Sequence, residues 1–305
     1  MFELLVFENH FGVLPYPIRY KPYLFNEVRH IESQKPFDNL VTFVLFNKAE
    51  GYIDARLQII EQKSQGFSPF RATFGGIEYS DNLPEKELSI FFNGVMKHPK
   101  VSQLSRLTIT EKPNFYDSHT INWQSEKVID TNQHLLVNTS SFINRIVPAE
   151  KRRLKKCINH GFSFEEIKNP DFDSAYQFVK INRERKGRPT TMNAQTLASV
   201  FEQMPNDYKL FVVKDGQKVI AMTILVKLNE DAQYIFLPAD DASYHTFSPS
   251  VMLFNGVYAY CQQSNAKVID FGISSEAGVL NEGLFRFKKN LGCVASEKIT
   301  FRKVD

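Results

Sequence analysis

Arg183, Arg185, Lys186 and Arg188 place four cations within six residues. Guanidinium forks and an ammonium group crowded together suit a phosphate-bearing partner, although such runs also occur as solvated surface. A second basic run, Lys151, Arg152, Arg153, Lys155 and Lys156, sits in a helical stretch. It offers contacts to RNA phosphates or anionic lipid, with a plain solvated helix face as the other reading. The seven histidines form no H-x-x-H or H-x-x-x-H pair, and no G-x-S-x-G stretch occurs. Metal-assisted and Ser- or Cys-nucleophile mechanisms therefore have no support. Asp270-Phe271-Gly272 has the letters of a kinase motif, but no G-x-G-x-x-G, V-A-I-K or H-R-D accompanies it. Asp270 reads instead as a strand-end residue that orders the next loop, with Gly272 supplying a turn.

The elements that must position these residues are clearest in the second half. Tyr208 to Val213, a turn at Asp215-Gly216, and Val219 to Val226 read as a hairpin. Gln233 to Leu237 follows as a third strand. Ser248-Pro249 then opens a helix, with Ser at the N-cap and Pro at the first helical position. Val251, Phe254, Tyr258 and Cys261 recur at helical spacing, and Lys267 to Gly272 returns as a strand. The order is β-β-β-α-β.

A fainter copy precedes it: strands at 40–46, 52–60 and 72–79, a helix from Pro84, and a strand at 104–110. Corresponding elements are offset by about 160 to 170 residues, which indicates structural duplication. Leu88, Phe91, Phe92, Val95 and Met96 make a core-facing stripe on the first helix. Phe74-Gly75-Gly76 reads as a bulge, with close backbone approach to a ligand as the other reading. A basic helix over 151–161, preceded by Pro148 and ended by Gly161, lies just beyond the expected boundary near 145. The expected domains are 1–145 and 146–305.

A chain of 305 residues with 43% hydrophobic and 23% charged residues is globular in composition, and its net charge of +3 names no partner. Three scattered cysteines, Cys157, Cys261 and Cys293, indicate a reducing compartment and no disulfide frame. Met1 to Phe11 carries Glu3 and Glu8 where a secretory signal would carry Lys or Arg, so it reads as a strand or core segment. No run reaches the roughly 18 apolar residues of a membrane span. The expected location is cytoplasmic, with peripheral attachment at the inner face of the membrane left open.

Residues 145–305 resemble the C-terminal domain of the FemABX family, with fainter agreement over 37–145. Four stretches carry the resemblance: Arg153-Leu154-Lys155-Lys156-Cys157 to Gly161-Phe162; Phe178 to Arg188, similar to an R-x-x-x-G-x-x-R loop with compressed spacing; Ser248-Pro249 to Tyr260 with Ile269-Asp270-Phe271-Gly272; and Gly283-Leu284-Phe285-Arg286-Phe287-Lys288-Lys289-Asn290-Leu291-Gly292, similar to the closing helix. The resemblance implies an α/β protein of mixed sheet, built as two tandem GNAT-like (acyl-CoA N-acyltransferase fold) domains.

It also implies transfer of an acyl or aminoacyl group to an amine, with a cell-envelope precursor as one such acceptor. Such chemistry needs positioning, removal of the amine proton and stabilisation of a tetrahedral oxyanion. Lys288 matches the family's closing-helix lysine, whose electrostatic role lies near the transferring carbonyl, and it is the expected catalytic residue. An exposed helix lysine beside Lys289 is the bland alternative. Arg188 matches an arginine that contacts substrate phosphates. Arg183, Tyr234, Ser248 and Asp270 complete the expected substrate-binding set. The expected partner is a phosphorylated small molecule or precursor, with tRNA as a further one. No tightly bound cofactor is expected; the donor is aminoacyl-tRNA or acyl-CoA.

A CoA-dependent GNAT enzyme cradles pyrophosphate on a glycine-rich loop at a helix N-terminus. Here that place reads Asp240-Asp241-Ala242-Ser243-Tyr244-His245-Thr246-Phe247, with no glycine and two carboxylates. This counts against acetyl-CoA in the standard pose. Two rivals remain: a CoA-dependent N-acyltransferase with a modified loop, and a non-catalytic binding module of the same fold. The second gains weight because the family's substrate-side motif is not convincing near Gln34-Lys35 and no coiled-coil arm for tRNA is inserted.

Overall fold

Val41, Phe43 and Leu45 alternate along one strand and are buried against a helix that presents Leu88, Phe91, Phe92 and Val95. The computed structural model in which this packing is seen describes residues 1–116, 126–187, 190 and 192–304. In chain order its strands and helices are β1 (Phe2–Glu8), α1 (Val28–Glu32), β2 (Asn39–Asn47), β3 (Tyr52–Gln62), β4 (Gln65–Ser68), β5 (Ile77–Tyr79), α2 (Glu85–Lys97), α3 (Pro99–Ser102), β6 (Arg106–Thr110) and β7 (Glu126–Leu136). They continue as α4 (Pro148–Asn159), β8 (Ser163–Ile167), α5 (Phe172–Glu184), α6 (Ala194–Gln203), β9 (Tyr208–Asp215), β10 (Lys218–Lys227), β11 (Ala232–Asp240), α7 (Pro249–Gln263), β12 (Val268–Ile273), the short β13 (Ser275–Glu276) and β14 (Val279–Leu280), α8 (Glu282–Asn290) and β15 (Val294–Val304).

The chain divides into two units. The first comprises Met1–Thr131, Ser275–Val279 and Ser296–Asp305; the second comprises Asn132–Ser274 and Leu280–Ala295. A single cut near 145 does not describe this division. Thr300 in β15 pairs with Thr110 in β6, and Leu135 in β7 pairs with Ile269 in β12. Both are pairings between strands far apart in sequence.

In the first unit the strand order is β1-β2-β3-β4-β6-β15, with β5 also on β3. Lys63 and Ser64 both adopt positive φ and make a two-residue turn between β3 and β4. The sequence reading places the third strand at 72–79; only 77–79 of it is strand (β5), and β4 at 65–68 is a strand that the reading did not foresee. Phe67 in β4 pairs with Ile60 and Tyr79 in β5 with Ala55, both on β3. Pro69 lacks an N–H for the ladder, and the chain leaves the sheet there. Gly75 returns it: its N–H donates to the Thr110 carbonyl, and a Cβ on Gly75 would meet the Pro69 backbone. Phe74-Gly75-Gly76 is thus a close approach of the backbone to its own chain.

In the second unit β7, β12, β11, β10, β9 and β8 lie side by side. Their core joins Phe211, Val213, Ile220 and Leu225 to Val251, Phe254, Tyr258 and Cys261 of α7. The stripe read from sequence is therefore the buried face of this helix. Gly256 lets α7 lie against the Phe164 ring, which stacks on Phe211 at 5.4 Å. Gly161, at φ 85°, ends α4 as its sequence position suggests.

Candidate functional site

Strands β11 and β12 run parallel and pair at Ala232↔Val268, Gln233↔Ile269 and Tyr234↔Asp270, after which no further pair forms. Beyond Tyr234, β11 carries a bulge against β10: Leu237 takes φ 50°, and the register shifts between Met222 and Ile224. A bulge bends its strand and re-aims the side chains that follow it. Pro238, Ala239 and Asp240 then line a pocket of about 110 Å³. Its apolar wall is Ile235, Phe254, Phe271, Leu284 and Phe287, and Asn182, Arg183, Lys186, Ser250 and Lys288 supply polar groups.

Lys288 is 5% exposed, on a helix whose N-cap Asn281 accepts a hydrogen bond from the Leu284 N–H. Its Nζ donates to the carbonyls of Gly272 and Ile273 at 2.8 and 2.9 Å. Burying an ammonium is costly unless its donors are met, and here β12's separated end supplies acceptors. The exposed-lysine alternative does not hold. Just before these carbonyls in the chain, Asp270 is 1% exposed; its Oδ1 accepts from the Gly272 N–H at 2.7 Å and from Asn132 Nδ2 at 2.8 Å. The carboxylate thus orders the turn that presents the two carbonyls to Lys288. Gly272 has φ 71°, and a side chain there would crowd the Tyr234 hydroxyl. Behind this cluster, burial pushes the Cys293 thiol up to about 12, with Asp270 adding to the effect and Lys288 opposing it.

The expected site residues therefore separate. Lys288 and Arg183 line the pocket; Tyr234 and Asp270 stand opposite one another where the strands part. Lys186 closes one rim through an ion pair of 2.6 Å with Asp240. Ser248 does occupy the N-cap of α7, but in left-handed backbone geometry (φ 56°) and without a capping side-chain bond. Ser250 lines the pocket instead. Arg188 lies outside the described residues. Sequence reasoning did not single out Asn182 or Ser250. For Asn182 a signal existed: it continues the buried stripe Ala175, Val179 on α5, where an apolar residue is expected.

The loop ahead of α7 is filled by its own side chains. Asp241 accepts from the Ser243 N–H at 2.9 Å and pairs with Lys218 at 2.9 Å, which holds its carboxyl down at about 2. The Tyr244 hydroxyl donates to Asp215 at 2.8 Å, and Lys156 lies over the Phe247 ring. On α4, Lys151, Arg152 and Lys155 are partly or fully exposed. Among the described residues no group of His, Cys, Asp and Glu could hold a metal ion, and no helix is long and apolar enough to cross a membrane.

A family model described as an acetyltransferase (GNAT) domain matches residues 147–289. No curated protein matches the chain. Among solved structures, FemX is similar with a TM-score of 0.64 at 12% identity, over 93% of each chain. A tandem GNAT protein from the clavulanic acid biosynthesis pathway has a TM-score of 0.55 at 10% identity, over 94% of this chain and 90% of its own. The C-terminal domain of a putative lysylphosphatidylglycerol synthetase from Agrobacterium fabrum has a TM-score of 0.55 at 11% identity, over 85% and 84%. Residues 147–289 match a GNAT domain, and the chain shares the fold of FemX and of the tandem GNAT protein.

Proposed function

We propose that the second unit transfers an aminoacyl or acyl group to an amine, and that the separation of β11 from β12 beside Lys288 is where transfer occurs. The observation that carries this reading is the buried Lys288 ammonium held at the parted end of β12, on the wall of the pocket that β11 opens after its bulge. Transfer joins the amine nitrogen to the donor's carbonyl carbon, breaks the bond from that carbon to the leaving oxygen or sulfur, and returns the amine proton to the leaving group or solvent. Negative charge develops on the carbonyl oxygen, and a fixed positive charge in a poorly solvated wall stabilises it.

Aminoacyl donors suit this chain better than CoA in the standard pose. A diphosphate at the α7 N-terminus would find Lys186 and Lys218 already engaged by Asp240 and Asp241, and no glycine in the loop to let the backbone approach. The names FemX and lysylphosphatidylglycerol synthetase support the same preference, since the latter name joins a lysyl group to a lipid. A phosphorylated precursor would be met by Arg183, with Arg188 as its expected companion. The acetyltransferase family match keeps acyl-CoA in view as the second donor.

Thermal unfolding of the purified protein against acetyl-CoA, longer acyl-CoAs, UDP-linked peptidoglycan precursors and aminoacyl-tRNA tests the reading, because a ligand that prefers the native state raises its melting point. A rise with precursor or aminoacyl-tRNA that is lost in Arg188→Ala supports it. A rise with acyl-CoA alone moves the reading to a CoA-dependent N-acyltransferase. No rise with any of them favours a non-catalytic module.

A further inference from the structure

Asn182 is 6% exposed, and its Nδ2 donates to the Phe178 carbonyl at 2.9 Å, one helical turn back. A carbonyl oxygen can only accept, so this bond settles which end of the amide is nitrogen and fixes its plane. The other end, Oδ1, has no hydrogen-bond partner. An unpaired buried carbonyl oxygen destabilises a fold, whereas a leucine in the same stripe would extend the core. A buried group left unpaired in this way calls for an explanation, and a bound ligand is one. Asn182 lines the pocket that holds Lys288, among Ile235, Phe254 and Phe271.

Charge decides what kind of donor fits. Arg183, Lys186 and Lys288 all line the pocket, and its acidic residue, Asp240, is paired to Lys186. Beside these cations an ammonium meets like charge, so the α-ammonium of an aminoacyl donor must lie away from this wall, while a neutral N–H meets the Asn182 acceptor without that penalty. We propose that Asn182 is a specificity-determining residue whose Oδ1 accepts a hydrogen bond from a neutral amide N–H of the group bound in this pocket. The site then distinguishes an amide from an ester of the same shape, because the ester leaves Oδ1 unpaired and brings a second oxygen toward it. This deepens the transfer reading by naming the chemistry the pocket recognises, and it rests on that reading for the pocket's role.

The test is a ligand-observed NMR titration of the full chain with N-methylpropionamide and with methyl propionate, which replaces N–H by oxygen. The wild-type protein should bind the amide about tenfold more tightly than the ester. Asn182→Leu should bring the amide's affinity down to the ester's and raise the melting temperature by a few degrees. Equal affinity of the two probes for the wild type, binding of neither, or an undiminished preference in Asn182→Leu would overturn the inference. The wild-type comparison does not depend on the variant's folding. Transfer activity is read separately: intact transfer without an amide preference removes this inference alone, and an amide preference without transfer removes the transfer reading alone.

Discussion

The Nζ of Lys288 lies 2.8 Å from the carbonyl oxygen of Gly272, so the closing helix is tied through a buried ammonium to the end of β12 where that strand has left β11. One side chain therefore serves two ends: it fixes the pocket wall and sets a positive charge beside the pocket. Lys288→Met keeps the aliphatic stem and removes the charge, leaving the Gly272 and Ile273 carbonyls without this donor. Hydrogen bonds from a charged donor are worth about 1.5 to 3 kcal/mol, so chemical denaturation should show a loss of that order. An unchanged unfolding free energy would show that the two carbonyls find other partners.

His30 in the first unit gives a pH signature unconnected with transfer. Burial, with Arg29 adding to it, pushes the imidazole down to about 4, and Gln34 Nε2 meets its Nδ1 at 2.7 Å. The unfolded chain takes up this proton near 6.5 and the folded chain only near 4, so stability is complete above 6.5 and falls as the pH drops between the two. The loss across that window is about 3 kcal/mol. Urea midpoints measured between pH 7 and 4 should show this slope, and His30→Gln should flatten it.

All three cysteines should be silent in the native protein. Burial raises Cys157 to about 11 and Cys261 and Cys293 to about 12, so hardly any thiolate forms at pH 8. Titration with a thiol reagent should find no fast-reacting group before denaturation and three after it. Rapid labelling of Cys293 in the folded protein would mean that the wall behind Lys288 opens.

Gly256 tests the packing of α7. An added methyl group would run into the Phe164 ring, and overpacking of this kind costs about 1 to 3 kcal/mol, partly offset by alanine's better helix propensity. Gly256→Ala should lower the melting temperature, and Phe164→Leu in the same chain should restore part of it. Additive losses in the double variant would show that the two residues do not meet.

What local patterns encode was legible in the sequence. The β-β-β-α-β order of the second unit, the Pro249 start of α7 and its buried stripe all rest on spacing and turn chemistry within a few residues. What was not legible depends on partners far along the chain. Nothing near Thr300 says that it pairs with Thr110, and the shortening of the third strand to β5 depends on where Gly75 returns to Thr110. The site shows the same contrast. Lys288 was found through a resemblance of its helix, but its burial comes from carbonyls at 272 and 273 that no spacing rule connects to it. Asn182 sat in plain view on a helix stripe; its meaning depends on the pocket that β11 opens after its bulge.

We propose transfer at the parted strands beside Lys288, and this can be measured. Its most direct test follows a labelled aminoacyl group from aminoacyl-tRNA to the amine of a UDP-linked peptidoglycan precursor, with wild-type protein and Lys288→Met compared at a temperature where both are folded. The wild type should transfer the group, and the variant should be slower by about 100-fold or more, the loss expected when an oxyanion-stabilising group is removed. Transfer at an equal rate by Lys288→Met would contradict the proposal.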